Sequence, residues 1–341
     1  MPGTEHGVTR ERLLSMMTAY KSTYLLRAAI ELGVFDALAD GSADPDTVAA
    51  ILRTSPRGTR LLLRALAAAG LLAVDGEQFG LAPGAETLLV RSSPQYGGGV
   101  VRVAASDWEW DAMKDLAGAV RAGGTLLAEN AEAPGFPYWV DFATHLTFAT
   151  GPGAEFVADL LVPAAAGRDR YGVLDVGCGH GLFGFAVAQR VPGATVSCLD
   201  WPDVLDVARG HAERLGLADR VHYLPGDAFE VPLGGPYDAV VLGNFLFQFS
   251  ARRGTELLRR LAGALKPGGR VVVIGFTTGD RPPAEDYHAH LLSLLMLAGT
   301  TEGELHSPIV YQKMLATAGF AATAAHERPG LPLRAVTAEL A

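Results

Sequence analysis

The stretch that decides the fold runs Tyr171-Gly172-Val173-Leu174-Asp175-Val176-Gly177-Cys178-Gly179-His180-Gly181-Leu182-Phe183. An apolar strand ends at Asp175, glycines recur at alternate positions, and a helix begins near Gly181. Glycine lets the backbone turn tightly and admits a ligand where a Cβ would collide. In open α/β sheets, ligands bind outside the carboxyl ends of the strands, which is where this loop would lie.

Working outward, Thr195-Val196-Ser197-Cys198-Leu199-Asp200 reads as the second strand, ending in an acid about 20 residues past the loop, where a carboxylate can bind ribose hydroxyls. Asp227, in Leu224-Pro225-Gly226-Asp227-Ala228-Phe229, follows a third strand. Tyr237 to Leu242 makes the fourth, and Leu265-Lys266-Pro267-Gly268-Gly269-Arg270 the turn before the fifth. Strand and helix alternate to residue 341, which predicts a parallel sheet with helices on both faces.

The N-terminal third has a different grain. Ala19 to Leu32 has helical apolar spacing closed by Gly33, and Thr47–Leu52 and Thr59–Ala69 suggest two further helices. Gly70 to Val74, a turn at Asp75-Gly76 and a return at Phe79 to Leu81 complete a helix-turn-helix with a wing. Arg57, Arg60 and Arg64 share a helix face, as a DNA reader would require. Yet the wing, Asp75 to Glu86, has no Lys or Arg to meet phosphate. The Ala/Leu-rich run Arg60 to Leu72 suits packing against a second copy instead. The expected divisions are 1–100, a helical bridge 101–165 with a linker from Pro163 to Arg170, and 166–341.

Composition narrows the function classes. The chain has 341 residues, 28 Lys+Arg against 37 Asp+Glu, and a formal net charge of −9. That balance disfavours nonspecific binding to nucleic acid or anionic membranes. With 49% hydrophobic and 19% charged residues it can build large cores. The longest apolar stretch, Leu291 to Ala298 broken by Ser293, is far short of the ~20 residues of a bilayer span. The first residues show no basic-then-apolar leader pattern, so the expectation is a cytoplasmic protein. Cys178 and Cys198 read as buried packing residues, and no metal site is expected.

Five segments in this order resemble the class I S-adenosylmethionine (SAM) methyltransferases over residues 171–276. The loop is G-x-G-x-G rather than the G-x-G-x-x-G of nicotinamide proteins. The resemblance implies an α/β, Rossmann-like fold with SAM as cofactor and S-adenosylhomocysteine (SAH) as product. It implies that Gly177 and Gly179 approach the methionyl part of the cofactor and Asp200 accepts the ribose hydroxyls. Trp201 would cover the adenine, Asp227 would meet its amino group, and Ala228 and Phe229 would lie against the ring. Asp175 and Asn244 are counted with them.

The whole chain is similar to the small-molecule O-methyltransferases that include the caffeic acid and acetylserotonin enzymes. Ala28 to Leu38 and Leu61 to Leu66 add to that likeness. It implies an N-terminal all-α winged-helix dimerisation domain, a homodimer, and a small aromatic or polyketide-like substrate of secondary, antibiotic-type metabolism. Family members carry a general-base His after the fourth strand and a Glu at the end of the fifth. Here those places hold Phe247, in Asn244-Phe245-Leu246-Phe247-Gln248-Phe249, and Gly275. Glu304 is the candidate for a second family Glu. The replacement bases expected are His290, His306 with Glu304, and His145. Trp139, Phe142 and Phe148, with Phe245, Phe247 and Phe249, are expected to line an aromatic substrate pocket. O- and C-methylation both stay open, as do a non-methylating reaction on bound SAM and a SAM-sensing winged-helix regulator.

Overall fold

The computed structural model describes residues 7–129 and 131–341, so the first six residues of the N-terminal reading lie outside it. The chain divides into two compact units, one ending at Ser106 and one running Asp107–Ala341. The boundary falls inside the segment expected as a bridge. Residues 107–165 pack with the sheet unit rather than standing apart.

The first unit holds α1 (Arg10–Leu32), α2 (Val34–Ala37), α3 (Pro45–Leu52), α4 (Pro56–Ala68), a hairpin of β1 (Leu72–Asp75) and β2 (Gln78–Leu81), α5 (Ala85–Leu88) and α6 (Val101–Ala104). Helix α1 begins nine residues before the expected Ala19 and ends where Gly33 takes a left-handed φ of 78°. Asp44 and Ser55 cap α3 and α4 through their side chains, each followed by a proline at the first helical position. The core gathers Ala29, Phe35, Val48, Leu63, Leu66 and Phe79. The first half of α1 contributes nothing to it. Leu13, Leu14, Met16, Met17 and Tyr20 are all exposed.

The second unit opens with α7 (Asp107–Lys114), α8 (Leu116–Ala122), α9 (Tyr138–His145) and α10 (Thr147–Ala165). The expected linker at Pro163 is instead the last turn of α10, which contains Pro152 and Pro163 and buries Phe156, Val157 and Leu161 in the sheet's core. Alternation then follows: β3 (Tyr171–Val176), α11 (Leu182–Arg190), β4 (Ala194–Asp200), α12 (Pro202–Arg214), β5 (Val221–Pro225), β6 (Tyr237–Gly243), α13 (Ala251–Ala262) and β7 (Leu265–Gly275). The unit closes with α14 (Tyr287–Gly299), α15 (Pro308–Thr317), β8 (Phe320–Glu327) and β9 (Arg334–Leu340).

The seven strands lie in the order β5-β4-β3-β6-β7-β9-β8. Strands β3 to β7 pair in parallel, but β9 runs antiparallel to both β7 and β8, so the sheet is not wholly parallel as expected. Val240 to Leu242 and Val271 to Ile274 are unbroken buried apolar runs, as a sheet covered on both faces demands. Helices α10, α11 and α12 cover one face, and α13 and α15 the other. Strand order reverses between β3 and β6, and that switch point opens a crevice at their carboxyl ends.

Candidate active site

Outside those strand ends lies a cleft with about 750 Å³ of space, the open solvent at its mouth included. The structure brings together Gly177, Gly179, Asp200, Trp201, Asp227, Ala228, Phe229 and Asn244 along its wall, and Trp139 and Phe142 line it too. Four separate loops supply them because each follows a strand that ends at this level.

The glycine loop is shaped by close approaches. Gly177 has φ 61°, and a Cβ there would collide with the Phe245 ring. Gly179 has φ 54°, and a Cβ there would meet nothing within 4 Å, so it would project into open space. The amide of Gly179 donates to Asp200 Oδ2 at 2.8 Å, and that of Trp201 to Oδ1 at 2.8 Å. Burial pushes the Asp200 carboxyl up to about 6 against the opposing pull of these two amides. Asp227 Oδ1 accepts from the Phe229 amide at 2.8 Å, setting that ring.

Asn244 sits at the end of β6 with a left-handed φ of 52°, a conformation Asn tolerates better than most residues. Its Oδ1 is buried with no partner. A free space at Gly179, a buried carbonyl oxygen awaiting a donor and a carboxylate at a strand end fit a polar, partly cationic nucleotide such as SAM.

Asp175 does not line the cleft. It is fully buried beneath the loop, where Oδ2 accepts the Gly184 amide at 2.9 Å and Oδ1 has no partner. Burial, with the nearby Asp200 charge, pushes it up to about 7. Its place is structural: it ties the strand to the first turn of α11. His180, in the loop, is also internal. Its Nδ1 accepts the Leu182 amide at 3.2 Å, which leaves Nε2 to donate to Thr150 Oγ1 at 3.0 Å. Desolvation lowers its pKa to about 3, so it stays a neutral imidazole.

The expected bases stand away from this cleft. His290 borders a different cavity, with Ser250, Arg252, Glu302 and Glu304, and its buried Nε2 has no partner. His306 is buried, with Nε2 3.1 Å from the Phe249 carbonyl and Nδ1 3.7 Å from Glu304 Oε1. Glu304 itself points outward, its side chain 66% exposed. Leu305, next to it, is the residue that turns inward, into the apolar cluster that holds Phe247. His145 pairs along its own helix with Asp141 at 3.7 Å.

Phe247 is likewise not a cleft residue. It packs with Ala112, Ala119, Leu295, Met296 and Leu305, joined by Trp108 and Leu292. A Cβ on Gly275 would come within 3.2 Å of Asn244 Oδ1 and 3.4 Å of the Phe247 ring, so no side chain fits there without displacement. Phe148 is exposed. Phe245 and Phe249, by contrast, do line the cleft, and their rings meet edge to face at 5.3 Å.

Sequence reading missed Glu132, Gln248 and Arg253, which also line the cleft. Arg253 looks like one charge in a polar helix run, and Glu132 sits in a loop with no motif. Only the tertiary fold brings them together. Among the described residues, no three His, Cys, Asp or Glu side chains are placed to hold a metal ion. No helix is long and apolar enough to cross a membrane.

Known proteins place this arrangement. Residues 169–321 match the O-methyltransferase domain, and residues 14–91 the O-methyltransferase dimerisation domain. The chain is 32% identical to the acetylserotonin O-methyltransferase of Mus musculus molossinus, over 90% of this chain and 83% of that one. It is 29% identical to the mitomycin biosynthesis 6-O-methyltransferase of Streptomyces lavendulae, over 92% and 90%. The human N-acetylserotonin methyltransferase solved with SAM superposes with a TM-score of 0.81 at 25% identity, covering 99% of both chains. With both domains matched and relatives aligned along most of their length, the chain belongs to the O-methyltransferase family of SAM-dependent enzymes.

Proposed function

We propose that this enzyme methylates a small, largely apolar metabolite whose nucleophilic atom needs no proton removed by the protein. The observation that carries this reading is that no histidine lines the cleft and that every acid on its wall already accepts at least one hydrogen bond. Asp200 is held by two amides, Asp227 by one, and Glu132 by Arg253 and the Thr301 amide. No histidine joins them among the described lining residues.

Bound SAM supplies an electrophilic methyl group on a positively charged sulfur. The chain's own residues supply position and dryness. Trp139, Phe142, Phe245 and Phe249 form an aromatic wall that excludes water and can align a planar molecule. Alignment of two reactants can contribute of order 7–11 kcal/mol, whereas general-base help is worth roughly 10²–10⁴ in rate. A phenol of pKa near 10 is about one-thousandth ionised at pH 7, so an acidic enol or phenol, or an activated carbon, suits this site better.

The assembly proposed is a homodimer, supported by the dimerisation-domain match and by the exposed apolar first half of α1. Nucleic acid is not proposed as a partner. Arg60 and Arg64 share their surface pocket with Asp44, Asp46 and Glu77, which oppose a phosphate backbone.

The test incubates purified protein and SAM with enols, acidic phenols and ordinary phenols, and measures SAH and product mass. Products heavier by one methylene, with rates tracking substrate ionisation, support the reading. A kcat at saturating SAM that follows an enzyme group whatever the substrate pKa, and that loses this dependence together with about 10²-fold of its value in one of the variants His145→Ala, His290→Ala or His306→Gln, overturns the absence of a base.

A further inference from the structure

We propose that Glu132 is a positioning residue for the cofactor, whose ion pair with Arg253 clasps one side of the cleft and sets how fast cofactor and product exchange. Glu132 Oε2 lies 2.6 Å from Arg253 Nη1, and Oε1 accepts the Thr301 amide at 2.9 Å. Its side chain is only 13% exposed. A carboxylate so enclosed, with both oxygens engaged by a cation and an amide, is held in one geometry, unlike an exposed pair.

Arg253 carries the clasp to the ring wall. Its guanidinium lies 4.7 Å from the Phe229 ring centroid and 5.1 Å from that of Phe249. Both rings line the cleft, and the Phe229 amide is fixed by Asp227. On the other side, Ala131, itself on the cleft wall, donates its amide to the Gly299 carbonyl at 3.1 Å. Its carbonyl accepts the Trp139 indole N–H at 2.8 Å. The Glu132–Arg253 pair therefore links Trp139 of α9, through Ala131, to the Phe229 and Phe249 rings by a chain of contacts along the cleft. On this proposal, loosening of the pair frees both stretches of wall and lets a bound ligand leave. Through the Thr301 amide the pair also reaches the segment just past the end of α14.

The experiment measures SAH dissociation from the full chain by stopped flow, following the change in intrinsic tryptophan fluorescence, to which Trp139 and Trp201 in the cleft contribute. The wild type is compared with Glu132→Gln, Arg253→Met, the double variant, and Glu132→Asp as a conservative partner. Each single variant is expected to release SAH at least tenfold faster, the double variant no faster than either single one, and Glu132→Asp at an intermediate rate. The double variant leaves no unpaired charge, so it keeps the test alive if a single variant folds poorly. Thermal melting recorded alongside separates a general loss of stability from a faster exit. Release rates within twofold of wild type in the double variant overturn the clasp, as do strictly additive effects. A wild type that binds no SAH at millimolar concentration overturns the cofactor assignment and the clasp together.

Discussion

Asp200 Oδ2 accepts the Gly179 amide at 2.8 Å, so the end of β4 and the middle of the glycine loop are one mechanical unit. The loop's shape depends on this acid before any ligand arrives. Asp200→Ala is expected to weaken SAH binding by about 1–3 kcal/mol, through a lost charge-assisted acceptor and a loosened loop. Asp200→Asn, which keeps one acceptor, should lose less. Calorimetric titration returning wild-type affinity for the alanine variant would remove Asp200 from the cofactor site.

Beneath that unit, Asp175 is held with a native pKa of about 7 against a reference of 3.8. The sign follows from proton counting. Between these values the native state binds more protons than the unfolded chain, so this group's contribution falls as pH rises. Its cost is absent below pH 4 and complete above pH 7. Asp200, raised to about 6, acts with the same sign over a narrower window. Asp175→Asn should therefore match wild-type stability near pH 4 and exceed it at pH 8, since each pKa unit is worth about 1.4 kcal/mol. Melting curves with equal separation at both pH values would contradict the assignment.

Helix α1 leaves Leu13, Leu14, Met16 and Met17 in solvent at the first unit's surface. Contiguous apolar patches of this kind mark contact sites. Met17→Glu together with Leu14→Glu should halve the mass seen by light scattering, without changing the unit's helical content. A wild type that is already monomeric at micromolar concentration would defeat the homodimer proposal.

Phe247 is 7% exposed within a cluster of small and branched residues. Phe247→Ala is expected to cost about 3–5 kcal/mol of stability by leaving a cavity, while SAH affinity stays within a few-fold of wild type. A larger loss of SAH affinity than of stability, by titration and denaturation, would put this ring in the cleft after all.

The loops that line the cleft were legible because glycine and acid positions at strand ends are local: Gly177, Gly179, Asp200 and Asp227 each sit at or just past the end of a strand. The antiparallel β9 was not, since nothing in Arg334 to Leu340 distinguishes the direction of its pairing with β7 and β8. Residue types also misled. Asp175 carries the motif's acid, yet its register on β3 points it down into the core. Glu304 and Leu305 differ by one position, and only packing decides which turns inward. Glu132 and Arg253 meet across 121 residues, a separation that no local pattern encodes.

The histidines give the sharpest test of the proposed chemistry. His290, His306 and His145 all stand off the cleft wall, and His180 is locked as a neutral ring. His290→Ala and His145→Ala are thus expected to retain SAH affinity and turnover within about threefold. A lost general base would instead cost roughly 10²-fold or more and flatten the pH profile. His306→Gln is the informative outlier. It can keep a donor toward the Phe249 carbonyl, now at 3.1 Å from Nε2, whereas His306→Ala removes it and leaves a void against Tyr311. The alanine variant should lose stability and disturb the Phe249 wall, and the glutamine variant should restore both. If His306→Gln instead folds normally and loses 10²-fold in kcat with KM unchanged, His306 performs proton transfer and the base-free reading fails.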